Sequence, residues 1–350
     1  MLSLRIVRGP LEPREEEAIV REFNRLTKSQ VPIDRFRRWV RSGPDGPAWH
    51  ALLEADGAGI VGHFCLIPLR TEHDGTQLVA ARTEYFFVHE NFRKEKVRGF
   101  ENSFLSCAIL LLGQLYENCR DFGWGPFLAS ASEEIQPYHR LAGCRPAEFR
   151  IKECLLILRP WEAAVRTPNL SRWQRVGVFL TGLAQRMFWY AAMPWTKSNG
   201  VSSASIGDVN IRPQPGQMSF FQDHDSLEWR YPEDEYAALL ANSASGDYLI
   251  VKRGSKDRYL RVCQWSLETA DVVSPLLLTL IRMAADEGSL GVRWAVYGQE
   301  GPAASLVNVL QRRGFLCVNR GRTVLFNTRE GGFVVPSLWN MSDSFFSFDL

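Results

Sequence analysis

The sequence predicts a mixed α/β fold, of the α+β type, in which two consecutive domains each have a mostly antiparallel central sheet flanked by helices. Strands without crossover helices follow one another near the start of the chain, and a similar order of helices and strands recurs in the second half. A length of 350 residues with 45% hydrophobic residues is typical of a globular protein with two domains. We expect an N-terminal domain over 1–160, a helical linker over 161–210 and a C-terminal domain over 211–350.

The first part of the chain predicts two helices and a three-stranded meander. Apolar residues with near-helical spacing follow Pro13 and three glutamates, and Asp56-Gly57 is a turn dipeptide between two extended apolar runs. A second turn, at Asp74-Gly75, precedes a run rich in β-branched and aromatic residues. The predicted elements are helices over 14–27 and 33–40, then strands over 50–55, 60–69 and 78–88.

The first domain continues with alternating helices and strands. Apolar residues recur nearly all round the segment 100–116, which predicts a helix buried against the sheet. A strand over 126–130, a helix over 133–141 that ends near Gly143 and a last strand over 149–158 complete the domain. Because the first strands lack crossover helices, this order excludes a doubly wound dinucleotide-binding fold.

The second half repeats this order after a helix over 170–192 and a polar Ser/Gly-rich stretch over 197–205, which has the composition of a linker. In both halves a helix rich in basic residues ends at a glycine and leads into a final strand, as expected of a duplicated unit. The predicted elements beyond the linker are strands over 247–253, 258–267, 292–297 and 316–326, and helices over 274–287 and 302–313.

Composition and charge exclude several classes of protein. The 41 Lys and Arg residues against 39 Asp and Glu leave a formal charge of +2, too small for a broad phosphate-binding surface, so no nucleic-acid partner is expected. The seven cysteines form no C-x-x-C pair and no His-rich metal spacing, which predicts reduced core cysteines, no metal site and a cytoplasmic location. The N-terminus lacks a secretory apolar region, and no apolar run approaches the roughly 18 residues that span a membrane.

The helix over 170–192 combines large apolar residues with Arg172, Arg175 and Arg186. One interpretation is a helix that packs between the two domains. The other is peripheral contact with an anionic membrane surface through the same helix. Both interpretations stay open at the level of the sequence, which also makes no prediction of the oligomeric state.

The segment 84–98 carries the most informative motif of the chain, Glu-Tyr-Phe-Phe-Val-His-Glu-Asn-Phe-Arg-Lys-Glu-Lys-Val-Arg. It resembles the GCN5-related N-acetyltransferase (GNAT) superfamily, in which a strand ending in Val-x-Pro leads through Arg-x-x-Gly-x-Gly/Ala into a helix. Free amides and the positive end of such a helix attract a pyrophosphate. The resemblance implies two tandem GNAT-like domains that use acetyl-CoA or another acyl-CoA as co-substrate, bound at Val88, His89, Arg93, Lys94, Lys96, Val97 and Arg98.

The motif departs from the family pattern at its glycines. Lys94, Lys96 and Arg98 stand where the family most often has small residues, and Glu90 replaces the proline. Bulky side chains obstruct a close approach of the backbone to phosphate, whereas three added positive charges offer side-chain contacts instead. The alternative interpretation is a solvated basic loop at the start of a structural helix.

The resemblance also implies catalytic residues. Glu84 on the third meander strand is the candidate base that takes the amine proton, directly or through water, and His89 is a second choice. Tyr138 or His139, close before Gly143, is the candidate acid that protonates the departing thiolate. Structural roles for these residues, such as an ion pair for Glu84 and core packing for Tyr138, are the alternatives.

In the second half, Leu227-Glu-Trp-Arg-Tyr and the C-terminal Pro336-Ser-Leu-Trp-Asn-Met-Ser-Asp-Ser-Phe resemble the second repeat of tandem acetyltransferase-like proteins associated with bacterial cell-surface polysaccharide synthesis. The implied function is an N-acyltransferase whose acceptor is a small-molecule amine, such as an amino sugar or another cell-envelope precursor. Two alternatives remain: a catalytically degenerate GNAT-fold protein that acts as a scaffold, and a FemAB-like transferase that uses an aminoacyl-tRNA.

Overall fold

A computed structural model gives the architecture of the chain. It describes residues 1–73, 76–100, 105–147, 151–167, 170–192, 200–209, 219–220, 223–241, 246–254, 258–266, 270–297, 301–319 and 322–327. The turn expected at Asp74-Gly75 and the C-terminal segment 336–345 lie outside these residues. Among the described helices, none has the length and apolar character that crossing a bilayer requires.

The first unit carries helices on both faces of an antiparallel meander. Its elements are β1 (Leu2–Arg8), α1 (Pro13–Thr27), α2 (Ile33–Arg41), β2 (Trp49–Ala55), β3 (Gly59–His73), β4 (Thr76–Val88), α3 (Cys107–Asp121), β5 (Phe127–Ser132), α4 (Gln136–Leu141) and β6 (Arg145–Pro146).

The rest of the chain forms the second unit, which includes two connecting helices and repeats the arrangement. Its elements are β7 (Ile151–Ile157), α5 (Pro160–Arg166), α6 (Arg172–Ala192), β8 (Val201–Ala204), β9 (Ser219–Phe220), α7 (His224–Arg230), β10 (Tyr236–Ala241), β11 (Tyr248–Lys252), β12 (Tyr259–Ser266), α8 (Ala270–Asp286), β13 (Gly291–Tyr297), α9 (Gly301–Arg312), β14 (Leu316–Asn319) and β15 (Arg322–Asn327).

Local sequence signals explain several of these elements. Helix α1 begins at Pro13 and is preceded by a capping box, in which Glu12 and Glu15 bond each other's backbone amides. Gly57 and Gly59 have φ values of 77° and 74°, which only glycine adopts freely, in the tight turn of the predicted β2–β3 hairpin. The helix predicted from residue 100 begins only at Cys107, and a separate short helical turn forms earlier, over Glu90–Phe92.

The two sheets exchange strands between the two halves of the chain. The first has the order β1-β2-β3-β4-β5-β15-β6, with β9 added beside β3, and the second has the order β14-β7-β13-β12-β11-β10-β8. Strand β15, from the end of the chain, thus lies between β5 and β6 of the first sheet, and β7 lies between β13 and β14 of the second. The sequence correctly predicts a strand near 149–158 but assigns it to the wrong sheet.

The run predicted as one strand over 316–326 is two strands, and these belong to different sheets. The domain limits at 160 and 210 stay a prediction.

The expectation that all cysteines are reduced is wrong for one pair: Cys154 on β7 and Cys317 on β14 face each other across the ladder and form a disulfide. The free cysteines of the described residues are buried, as predicted.

Helices cover both faces of the first sheet. Helix α3 packs on one face in a core that includes Phe64, Tyr116 and Phe127. Helices α1 and α2 pack on the other face, where Phe36 and Tyr85 are among the buried residues. Over residues 85–88 of β4, successive side chains therefore point alternately into these two helical layers, and this alternation organises the candidate site.

Candidate functional site

The candidate site is a gap in the first sheet between β4 and β5. These parallel strands pair at only two positions, Ala81 with Phe127 and Arg82 with Leu128. Beyond this point β4 continues to Val88 paired with β3, and β5 pairs with β15 on its other side. The strands separate toward their C-terminal ends, so the edge of β4 over residues 84–88 is available to a ligand rather than to another strand.

A bulge in β4 lies at this gap. Cys65 on β3 is opposite Glu84 and His63 is opposite Phe87, so β4 has one residue more than β3 across this stretch. Tyr85 accommodates the extra residue with a φ of 52°, an outlier for a bulky side chain. The bulge directs Tyr85 into the α1–α2 layer and Phe86 toward the α3 layer.

Glu84 lies on the α1–α2 side of the gap. Its carboxylate is 3.0 Å from Nε of Arg82, and the two residues are 7% and 1% exposed. The Arg82 guanidinium also lies 4.1 Å from the centre of the Trp39 ring on α2. A buried carboxylate needs such a partner because an isolated charge is costly inside a protein. Glu84 was predicted from the sequence, whereas Arg82 was not.

Tyr138 lies on the opposite side of the gap, on α4. Its ring is 6.5 Å from that of Phe86, and the residue is only partly buried. His139, the alternative acid, is instead 3% exposed, and its Nδ1 lies 3.1 Å from the Tyr116 hydroxyl. Burial lowers the pKa of His139 to about 4, so its imidazole is neutral at physiological pH and has no acidic proton to give.

The predicted co-substrate loop leaves the end of β4 beside this gap. Arg93, Lys94, Lys96 and Arg98 are exposed, whereas Val97 is buried and pairs with β1. Sγ of Cys107, the first residue of α3, contacts the carbonyls of Phe92 and Glu95 at 3.3 and 3.1 Å. The loop is thus attached at both ends while its basic side chains face solvent, as contacts with phosphate require. Residues 101–104, which complete the connection to α3, lie outside the described part of the chain.

The two remaining predicted residues shape the end of β4. The Val88 carbonyl accepts a bond from Nε of Arg93 at 3.3 Å, which orients this arginine. Nδ1 of His89 accepts a bond from the backbone amide of Asn91 at 3.3 Å, and the ring stacks edge-on against Phe92. His89 therefore caps the short helical turn. This contact does not direct the His89 ring toward the Glu84 carboxylate.

A cluster of metal-type donors lies behind Glu84, in the α1–α2 layer. The nearest side-chain donor atoms of His50, His63 and Cys65 all lie within 4.8 Å of one another. Nδ1 of His50 is 3.1 Å from Nε2 of His63, whose Nδ1 bonds the Tyr85 carbonyl at 3.0 Å. Burial raises the pKa of the Cys65 thiol, which disfavours the thiolate that binds metals. These contacts form a hydrogen-bonded support for the bulge.

The second sheet contains a similar but differently lined gap. Strands β12 and β13 pair in parallel over Tyr259–Val262 and then separate. Gln264 follows on β12, buried between the hydroxyls of Tyr231 and Tyr248 at 2.5 and 3.1 Å. No carboxylate equivalent to Glu84 occurs on the described residues of β12.

Comparisons with known proteins agree with this architecture. No family model and no curated protein sequence matches the chain. Among solved structures, a conserved protein of unknown function from Enterococcus faecalis, a probable N-acyltransferase, has 10% identity and a TM-score of 0.58, over 92% of this chain and 71% of the other. N-myristoyltransferase from Saccharomyces cerevisiae, with bound myristoyl-CoA, has 11% identity and a TM-score of 0.56, over 97% and 84%.

A tandem GNAT protein from the clavulanic acid biosynthesis pathway is similar at 14% identity with a TM-score of 0.55. The match covers 95% of this chain and 100% of the other. Identities this low show a shared fold, which extends over most of this chain. The chain has the mixed α/β fold of two tandem GNAT-like domains.

Proposed function

We propose that the chain is an acyl-CoA-dependent N-acyltransferase, which moves an acyl group from the sulfur of coenzyme A to the nitrogen of a small-molecule amine. The observation that carries the proposal is the gap between β4 and β5, with Glu84 on one face of the sheet and Tyr138 on the other. A gap that passes through a sheet lets a donor and an acceptor meet from opposite faces.

The two side chains suit the two proton transfers of such a reaction. The amine nitrogen attacks the thioester carbonyl carbon and loses a proton to Glu84, directly or through water. The carbon–sulfur bond then breaks, and the departing thiolate takes a proton from the Tyr138 hydroxyl. Arg82 is a positioning residue, because its ion pair holds the Glu84 carboxylate in place. The neutral, hydrogen-bonded His139 is a poorer acid than Tyr138.

The basic loop is our candidate for the pyrophosphate of the co-substrate. The exposed Lys94, Lys96 and Arg98 supply side-chain donors where the family pattern has glycine amides. An ammonium or guanidinium group reaches phosphate without a close approach of the backbone, so the missing glycines are compatible with binding.

The second unit is our candidate for shaping the acceptor pocket. Trp229 on α7 lies 4.5 Å from Trp39 on α2, edge-on, and Asp223 forms an ion pair with Arg70 of β3 at 3.0 Å. These contacts set the second unit against the face of the first sheet that carries Glu84. We propose an amino sugar or another cell-envelope precursor as the amine, and, because acyl-CoA is a cytoplasmic metabolite, a cytoplasmic reaction in surface polysaccharide synthesis.

Calorimetric titration with acetyl-CoA and longer acyl-CoAs tests the proposal. We expect micromolar binding that weakens by tenfold or more in a variant with Lys94→Ala, Lys96→Ala and Arg98→Ala, because three charge-assisted contacts are lost. A control variant with Arg14→Ala, Arg21→Ala and Arg312→Ala removes the same number of exposed charges from α1 and α9 and should bind normally.

Turnover with a panel of amines then separates catalysis from binding. Glu84→Gln should lower kcat by about 100-fold or more while leaving acyl-CoA affinity unchanged, because the proton acceptor is lost and the amide keeps the size of the side chain. Its circular dichroism spectrum is compared with that of the wild type, because the variant also loses the ion pair with Arg82. A folded protein that binds no acyl-CoA contradicts the proposal and favours the tRNA-dependent alternative. Normal acyl-CoA binding without turnover of any amine favours the scaffold.

A further inference from the structure

Helix α6 exposes a continuous stripe of large apolar side chains. Six residues spaced three and four positions apart form one line along the helix, and none of them is covered. They are Trp173 (85% exposed), Val176 (48%), Leu180 (57%), Leu183 (39%), Met187 (65%) and Tyr190 (62%). Residues at this spacing share one face of a helix, and a globular protein normally turns such a face to its core.

The opposite face of α6 is firmly attached to the second unit. Trp189 is buried in the core of the second sheet. The Gln185 side chain accepts a bond from the Ile157 amide at 2.9 Å and donates to the carbonyls of Leu155 and Gly314 at 3.0 and 2.7 Å. It thereby satisfies backbone groups of β7 where β14 begins. These contacts fix the orientation of α6 with the stripe facing outward. Turning the stripe toward the second unit would break the Gln185 hydrogen bonds.

The apolar surface extends beyond α6. Trp161 and Val165 on the neighbouring α5 are 70% and 50% exposed. The centre of the Trp161 ring lies 6.3 Å from the centre of the Phe179 ring on α6, in an edge-on arrangement. Soluble monomers rarely expose apolar patches of more than a few hundred Å², and larger patches mark interaction sites. The α6 stripe with Trp161 and Val165, hereafter the α6 face, is such a patch.

Basic side chains predominate around the α6 face, where the Glu162 carboxylate of α5 forms ion pairs with Arg159, Arg166 and Arg258. Helix α6 contains no Asp or Glu, whereas Arg172 and Arg186 are exposed on it. Arg166, at the end of α5, has a side chain that is 56% exposed. Trp173 and Tyr190 stand at the two ends of the stripe, and such amphipathic rings prefer the boundary between lipid and water.

A pocket of about 510 Å³ opens at the C-terminal end of the stripe. Its lining combines the aromatic Trp161, Trp189 and Tyr190 with Arg159, Arg186 and the Glu162 carboxylate, which lies 3.2 Å from the Arg159 guanidinium. Arginine is suited to phosphate and the aromatic rings to hydrocarbon, so the lining matches an ester-linked phosphate attached to an apolar chain.

We propose that the α6 face lies on a bilayer surface containing anionic phospholipids, and that the pocket at its end receives the headgroup region of one such lipid. A straight ridge of apolar side chains flanked by arginines fits a flat anionic surface. A second copy of the chain fits less well, because it would bring the same arginines into the interface with no acidic residue on α6 to pair with them.

Co-sedimentation of the full chain with vesicles tests this proposal. We expect binding to vesicles of phosphatidylcholine with 30% phosphatidylglycerol, at least about tenfold weaker binding to phosphatidylcholine alone, and release by 0.5 M NaCl, because screening weakens charge attraction. The double variant Leu180→Gln, Met187→Gln should bind about tenfold more weakly or worse. Leu141→Gln, at a residue 66% exposed on α4, is the matched control and should bind like the wild type.

Two further measurements define the outcomes. Arg172→Gln with Arg186→Gln should abolish the preference for anionic vesicles while preserving the circular dichroism spectrum. Light scattering without lipid measures self-association. If the protein is a monomer and does not co-sediment with anionic vesicles, the proposal is wrong. A dimer that is lost in the Leu180→Gln, Met187→Gln variant, with no vesicle binding, overturns it in favour of a second copy on the α6 face. Neither result depends on the proposed transferase activity.

Discussion

Three histidines of the first unit are buried and uncharged. His50 and His63 are 0% exposed and His139 is 3% exposed. Burial lowers the pKa of His63 and of His139 to about 4 in each case. Burial also lowers the pKa of His50, with a further contribution from His63. Because an unfolded chain restores the ordinary value near 6.5, folding and protonation compete in mildly acidic solution.

Acid should therefore destabilise the protein well above the pH at which carboxylates titrate. Between about pH 6.5 and 4 the unfolded state binds protons that the folded state does not, so stability falls as pH falls, by about 2 kcal/mol each for His63 and His139 at pH 5. Urea unfolding at pH 7 and pH 5 measures this loss. His139→Leu should remove about 2 kcal/mol of the difference, and an unchanged difference would contradict the assignment.

The residues of the candidate site were predictable in kind but not in arrangement. The pattern around Glu84 predicts a carboxylate on the third meander strand, and the spacing before Gly143 predicts Tyr138 and His139 on a helix. Neither pattern distinguishes the partly exposed Tyr138 from its buried neighbour. Arg82 was missed because a basic residue two positions before a carboxylate on a strand is not a recognisable signal, although both side chains share one face.

At the level of elements, the junction of β13 with β7 leaves no space for a side chain. A Cβ added to Gly291 would overlap the backbone carbonyl of Leu156 on β7. Backbone cannot yield as a flexible side chain can, so the two strands would have to separate.

Gly291→Ala should lower the free energy of unfolding by about 3 kcal/mol or more. Gly113→Ala, on α3, is the matched control, because nothing lies within 4 Å of its added Cβ and alanine favours helix by about 1 kcal/mol. Denaturant unfolding compares the two variants. Equal stabilities would contradict the close approach at Gly291.

Elements with strong local signals were predicted well, and those set by tertiary context were not. The hairpin around Asp56-Gly57 and the helix over 170–192 are present close to the expected positions. Strand β1 is an exception, because it was missed although apolar and polar residues alternate over 2–6, and it pairs with β2 along its whole length. The late start of α3 was missed because apolar periodicity shows which residues can form a helix, not where the chain is free to begin one.

For the whole molecule, the exchange of β7 and β15 decides which segments depend on each other. Pairing between segments so far apart in sequence leaves no trace in local hydrophobic patterns, so a single sequence predicts the strands and not their partners. The duplicated order of elements is visible, yet the natural assumption that each half completes its own sheet is wrong here.

Removing β15 should therefore weaken the first sheet, although it lies far along the chain. A chain ending at residue 319 lacks the partner of β5, and we expect faster hydrogen exchange over Phe127–Ser132. A chain ending at residue 327 keeps β15 and should retain slow exchange there. Mass spectrometry of labelled peptides measures both, and identical exchange in the two chains would contradict the pairing.

The exchange also bears on how the protein is made. During synthesis, β5 and β6 leave the ribosome long before β15. The position between them in the first sheet therefore stays empty while the second unit is synthesised. At roughly 5–20 residues per second this delay lasts about 10 s or more, during which two strand edges are open to wrong partners. Production of this protein is thus expected to depend on chaperones that bind nascent chains, more than production of a single-domain relative whose strands emerge consecutively.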